Sequence, residues 1–266
     1  GGCRAFDTAG PLHVVAFGDS MTAGPTARCY PDFLAEALDG SGASVISAGV
    51  SGETSADGLR RLPKVLRSVR CAGRGVLLYW EGGNDINRFI RRHDRWLRHD
   101  PRAADYPLTD SLEQVLNDVQ RNLTRAVRQA QRRRMGIFLV TYPPVRASLL
   151  ACDAMPGGFL LPAQAERANG YVGLLNDRIR RAAALTGAGV VDPAAHAEAF
   201  AADPAHYHDC IHPSEAGQRF IAALVTEALR AAGLLGRYSG PSRIDSRDSA
   251  KVGLSVSGAG SSWSSQ

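Results

Sequence analysis

Ser20 in "FGDSMTAG", Asn84 in "GGND", and Asp209 with His212 in "DCIHPSEAG" are the residues whose types and spacing suit chemistry. A serine hydroxyl is a poor nucleophile until a base takes its proton, and an imidazole, with an unperturbed pKa near ~6.5, suits that task near neutrality. A carboxylate on the far ring nitrogen fixes the tautomer and favours the imidazolium that forms. Amide donors beside glycines supply what remains, a place for the oxyanion of acyl transfer. Each residue also has a plainer reading. Ser20 suits a helix N-cap, Asp209 the cap of a helix starting near Pro213, and Asn84 with Asp85 a turn. Four separated loops supplying a complete set of parts favours the chemical reading.

The elements that must position these residues alternate along the chain. Strands are predicted at 12–17, in "ASVISAG", in "GVLLYW", in "GIFLVTYPP" and in "AGVVD". Helical patterns fall between them: Pro31 to Leu38, "TSADGLRRLPKVLRSV" after an N-cap at Thr54 or Ser55, "SLEQVLNDVQRNLTRAVRQAQRR", "AERANGYVGLLNDRIRRAAALTG" and "PSEAGQRFIAALVTEALRAAG". Arg88 to Pro107 reads as a long polar loop that holds Phe89, Ile90, Trp96 and Leu97 among arginines. Strand and helix in alternation imply parallel strands joined by right-handed crossovers, with helices on both faces. Continuously apolar strands agree with a sheet covered on both sides. Ligands of such sheets gather at the carboxyl ends of the strands, where the four loops lie.

Four blocks in order, "FGDSMTAG", "SAGVSGETS", "EGGNDI" and "DCIHPSEAGQRFIA", resemble those of the SGNH hydrolases, also called GDSL esterases and lipases. The resemblance runs from Leu12 to about Leu235. It implies a three-layer α/β/α sandwich, flavodoxin-like, with a five-stranded parallel sheet. It also implies hydrolysis of carboxylic esters or thioesters with no metal or organic cofactor. Carried over by position, Ser20 is the nucleophile, His212 the general base and Asp209 its orienting carboxylate. The N–H groups of Ser20 and Gly52 and the side-chain amide of Asn84 form the oxyanion hole. Gly52 is then glycine because a side chain would crowd the acyl oxygen or deny the backbone its turn. The chain departs from the pattern at Ser47, where Asn is common, and at Cys210, where Gly is common. Cys210 is either a tether on the histidine loop or a packed thiol. Glu81 is either a paired surface acid or a group that perturbs the site.

Composition narrows the alternatives. The 266 residues are 44% hydrophobic and 21% charged, enough for one core of the larger kind. We divide them into an N-terminal extension (1–11), a hydrolase domain (12–236) and a disordered or artificially appended tail (237–266). No apolar run approaches the ~20 residues of a membrane helix. The net charge of +5 comes from arginine, Lys64 and Lys251 being the only lysines. Arg121, Arg125, Arg128 and Arg132 fit a solvated helix face, and few aromatics interleave with them, which disfavours nucleic acid. The histidines and Cys210 of "HYHDCIH" offer metal-ligand chemistry, yet match no zinc spacing and leave the other blocks unexplained. A noncatalytic binding module is the other alternative, and the absence of any G-x-S-x-G removes the α/β-hydrolase elbow. Five scattered cysteines hold no CxxC pair. Cys29, Cys152 and Cys210 fall in loops that an oxidised chain would staple, the alternative being unpaired buried thiols in a reducing cell. Export or a periplasmic location is therefore favoured over the cytoplasm, with Cys3 a candidate for lipid attachment. The expected partner is a small-molecule acyl ester, a carbohydrate acetyl ester being the alternative, and a monomer is favoured.

Overall fold

Val14, Val15, Ala16 and Phe17 are fully buried in β1 (Leu12–Gly18), the strand at the centre of the site-bearing edge. A computed structural model describes residues 5–7, 9–69, 73–94, 110–148, 152 and 158–235. In it β1 pairs with β2 (Ser44–Gly49) on one side and β3 (Arg74–Trp80) on the other. The strands β4 (Gly136–Val140) and β5 (Gly189–Val191) follow β3, giving the order β2-β1-β3-β4-β5 with every pair parallel. Gly18 stands in register with both Gly49 and Trp80, so the first three strands end together and their loops leave the sheet side by side.

Helices cover the sheet in two groups. On one side α2 (Tyr30–Ala37) packs against α8 (Glu215–Ala231). The other group comprises α3 (Ser55–Ser68), α4 (Gly83–His93), α5 (Asp110–Gln131) and α6 (Pro162–Thr186), with α5 touching the other three. Short pieces complete the chain: α1 (Ser20–Ala23), α7 (Ala197–Ala202) and 3₁₀ turns at Pro193–His196 and Pro204–His206. The α/β sandwich expected of the alternating pattern is the fold observed. Truncating a fully buried centre such as Leu77 to Ala carries the usual core cost of about 2–5 kcal/mol.

Three expectations need correction. Arg88 to His93 is not loop but the second half of α4, because Ile86, Phe89 and Ile90 recur at helical spacing and Gly82, at φ +125°, turns the chain sharply off β3. The rest of that stretch, Trp96 and Leu97 included, lies outside the described residues, as do Cys3, Cys71 and the 237–266 tail. Strand four ends at Val140; the Thr141 N–H still bonds the Val191 carbonyl at 3.0 Å, and Tyr142 to Pro144 continue beyond the ladder. The edge strand β2 is not covered on both faces, since Ile46 remains 39% exposed. An edge position has a neighbouring strand on one side only, and its apolar residues are correspondingly half covered. Arg121, Arg125, Arg128 and Arg132 do lie on the exposed side of α5 and the turn after it, and Arg121 pairs with Asp118.

Candidate active site

The strand β1 stops at Gly18, where a Cβ would sit 2.4 Å from Thr22 Oγ1 and 2.5 Å from the Trp80 carbonyl. The chain turns there into α1, and the cap is Asp19 rather than Ser20: its carboxylate accepts the Met21 N–H at 2.9 Å. Ser20 is the first helical residue, which leaves its hydroxyl free to face His212. Ser20 Oγ and His212 Nε2 are 3.0 Å apart. On the other side of the ring, Nδ1 lies 2.7 Å from Asp209 Oδ2.

Asp209 does not cap a helix either. Helix α8 starts at Glu215 under Ser214, whose hydroxyl accepts the Gly217 N–H. Asp209 Oδ1 instead accepts the N–H groups of Ile211 and His212 at 2.7 and 2.6 Å, folding the loop around the carboxylate. Burial alone would raise its pKa, but the His212 ring and these N–H donors outweigh burial and hold Asp209 below the usual carboxylate value. The histidine loop is fastened to the segment after β4 as well. Arg146 N–H donates to the Cys210 carbonyl at 2.9 Å, and Tyr207 Oη donates to the Pro144 carbonyl at 3.0 Å. Cys210 is disulfide-bonded to Cys152, so of its two readings the tether holds. Cys29, also placed in a loop, is a free thiol that donates to the Ala23 carbonyl at the start of α2. His206 stacks on Phe200 and donates through Nδ1 to its carbonyl at 3.0 Å. Among the described residues no three metal-type side chains converge.

The remaining predicted residues arrive from β2 and β3. Gly52 has φ +78°, and nothing lies within 4 Å of a Cβ placed there, so backbone conformation and not protein crowding requires glycine. Asn84, in the first turn of α4, donates through Nδ2 to the Glu53 carbonyl at 2.9 Å, which leaves its second N–H to point elsewhere. Glu53 is itself held by Arg61, whose guanidinium lies 3.9 Å over the Phe17 ring. Asp85 accepts both the N–H and the hydroxyl of Ser55, at 2.7 and 2.9 Å, joining the two loops. Ser20, Gly52, Asn84 and His212 therefore border one space, as their residue types require.

Two groups, Asp19 and Tyr142, escape sequence reasoning, and the choice left open at Glu81 narrows. Asp19 is 1% exposed, and burial pushes its pKa up to about 6 against the pull of its Met21 and Tyr142 hydrogen bonds. Tyr142 bridges Asp19 and the Gly83 N–H. Glu81 is no surface acid: it is fully buried, and burial, with the Asp19 carboxylate and the Glu53 carboxyl nearby, pushes its pKa up to about 12. Asp19 lies inside the "FGDSMTAG" block, the one signal that could have found it. Tyr142 carries none.

A cavity of about 400 Å³ opens from Ser20 and His212. Its walls are Ile86 and Ile90 of α4, Val145 and Leu160 beyond β4, and Ala168, Val172 and Leu175 of α6, with Asn87 and Arg91 also lining it. Asp94, at the end of α4, is buried and bonded to Arg167 Nε at 2.7 Å and Tyr171 Oη at 2.6 Å, which fixes α4 against α6 on either side of that space.

A family model described as the GDSL-like lipase/acylhydrolase family matches residues 16–220. No curated protein matches the chain. Among solved structures, a member of the lipolytic protein G-D-S-L family from Veillonella parvula is 15% identical, with 81% of this chain and 97% of that one covered and a TM-score of 0.57. The psychrotrophic esterase EstA from Pseudoalteromonas, inhibited by monoethylphosphonate, is 18% identical over 84% and 98% of the two chains at a TM-score of 0.55. The acetyl xylan esterase AlAXEase is 20% identical over 82% and 99% at a TM-score of 0.56.

Proposed function

The chain belongs to the GDSL-like lipase/acylhydrolase family and is a carboxylic ester hydrolase, and from that premise we propose that it works through a Ser20 acyl-enzyme on esters with an apolar acyl chain. Ser20 Oγ attacks the ester carbonyl carbon while its proton passes to His212 Nε2. The tetrahedral oxyanion is received by the N–H groups of Ser20 and Gly52 and by Asn84 Nδ2. His212 then protonates the leaving alcohol, the C–O bond breaks, and the acyl group remains on Ser20. Water repeats the sequence with His212 as base, releasing the acid and restoring the serine. Asp209, held ionised, keeps the ring oriented and favours its charged form.

The observation that carries this reading is the unbroken line Asp209–His212–Ser20 at the end of a cavity walled by aliphatic side chains. Seven aliphatic walls gain nothing from a sugar and match a hydrocarbon chain, which supports lipid-like esters over carbohydrate acetates. A thioester of the same acyl chain fits the same walls. The Cys152–Cys210 bond supports export to an oxidising compartment as part of the proposal. A panel of chromogenic esters and thioesters of increasing acyl length, with Ser20→Ala as blank, tests the assignment. Turnover that rises with chain length and vanishes in the blank is expected. A response that is flat or independent of Ser20 overturns it.

A further inference from the structure

Tyr142 stands between the loops that carry two of the proposed oxyanion donors. Its hydroxyl accepts the Gly83 N–H at 2.9 Å and donates to Asp19 Oδ2 at 2.8 Å. Asp19 Oδ1 in turn accepts the Met21 N–H. One chain of hydrogen bonds therefore runs from the first turn of α1, which holds Ser20, to the first turn of α4, which holds Asn84. Resting on the reading of Ser20 and Asn84 as donors, we propose that Tyr142 is a positioning residue: a strut whose hydroxyl sets the separation of the two donors that receive the oxyanion.

Several observations converge on the hydroxyl rather than the ring. A phenol has one proton, and here it goes to a carboxylate, while a backbone N–H occupies the oxygen. Asp19 and Tyr142 are 1% and 6% exposed, so these bonds act with little competition from water, and losing one leaves a buried group unpaired. The carboxylate polarises the hydroxyl and makes its oxygen a better acceptor for Gly83. The position of the residue is imposed from behind. Asn176 of α6 bonds both the N–H and the carbonyl of Tyr142, at 2.8 and 2.9 Å, and Trp80 packs against its ring at 5.7 Å between centroids. Gly83 is close enough that a Cβ would lie 2.8 Å from Tyr142 Cε1. The ring also lines the cavity, a task phenylalanine would perform equally well. Donors that must meet developing charge without rearranging need a fixed separation, and a rigid aromatic spacer between their loops supplies it.

Tyr142→Phe keeps the ring and removes the strut. Asp19→Asn keeps the cap on α1 but turns an amide donor toward a hydroxyl that already receives the Gly83 N–H. Each is expected to lower kcat about 10- to 100-fold with KM within about threefold, less than the ~10²–10³-fold cost of deleting an oxyanion donor. In the double variant the losses should not multiply, because both break one chain. A kcat within about twofold of wild type, a rise in KM alone, or multiplicative losses overturn the proposal. If Tyr142→Phe gives no cooperative melt, Asp19→Asn carries the test, and its unchanged kcat is the overturning result. Ser20→Ala, assayed in parallel, separates the two failures. An active Ser20→Ala removes the reading beneath the strut, whereas an inactive one beside unimpaired Tyr142→Phe removes the strut alone.

Discussion

His212 Nε2 lies 3.0 Å from Ser20 Oγ although 192 positions separate the residues. The pair owes its approach to β1 and α8, which deliver them to one end of the sheet. Replacing Ser20 by Ala should lower kcat about 10⁴- to 10⁶-fold, and Asn84→Ala about 10²- to 10³-fold with little change in KM. Steady-state kinetics on a chromogenic ester measures both. An Asn84→Ala enzyme with wild-type turnover would remove Asn84 from the oxyanion hole.

Cys152 and Cys210 close a span of 58 positions around the segment after β4 and the loop of His212. Cys152→Ser should cost about 2–4 kcal/mol of stability and reduce turnover through a looser His212. Melting and kcat with and without strong reductant check this. Unchanged values in both would mean that the Arg146 and Tyr207 bonds hold the loop unaided.

Glu81 gives the fold a pH dependence of known sign. Below the ordinary carboxyl pKa of 4.5 both folded and unfolded chains keep the proton; above it only the folded chain does, up to about 12. Stability is therefore lost as pH rises from 4.5. Asp19, raised to about 6, adds in the same direction between 3.8 and 6. Glu81→Gln, close in shape to the protonated acid, should flatten the decline of Tm between pH 5 and 8 and melt above wild type at pH 8. Parallel Tm curves for the two proteins would contradict the buried neutral acid.

Ala168 is a small residue on the cavity wall, 8% exposed and packed near Ile90 and Val145. Ala168→Phe should fill part of the acyl space, lowering kcat/KM for the longest chains by about tenfold or more while leaving short-chain esters within about threefold. The ratio of rates across a chain-length series reads this directly. A uniform loss at every length would place the acyl chain elsewhere.

At Gly52 the positive φ, not a close neighbour, resists substitution. Gly52→Ala should therefore cost about 1–2 kcal/mol of stability, where an ordinary Gly→Ala change costs none, and reduce kcat by turning the residue's N–H, with KM little changed. A fully active, equally stable alanine variant would show that another residue supplies that donor.

Much of the fold was legible because it is local. Apolar runs such as "GVLLYW" can only be buried strands at that length, and each helix between them announces itself through a cap or a period; Thr54 capping α3 is one case. Where the pattern was weaker the reading failed. Arginines at 88, 91 and 92 masked the Ile86, Phe89, Ile90 stripe of α4, because long charged side chains sit as readily on a helix face as in a loop. The half-covered β2 was missed for another reason: its residue types match those of the central strands, and being at an edge is a property of neighbours.

Residue types and their order along the chain were sufficient to determine the reaction class, the alternating α/β architecture and the list of polar groups at the strand ends. Those follow from periodicity and from what each functional group can do. Distances, burial and partnership were decided only when the strands aligned. Asp19 and Glu81 are written as ordinary acids, and become a raised and a fully neutral one because packing removes water from around them. Tyr142 is an unremarkable residue after a strand until parallel pairing sets it between two loops that precede it by more than fifty positions. Desolvation and long-range contact depend on the whole chain at once, and no short stretch of it encodes them.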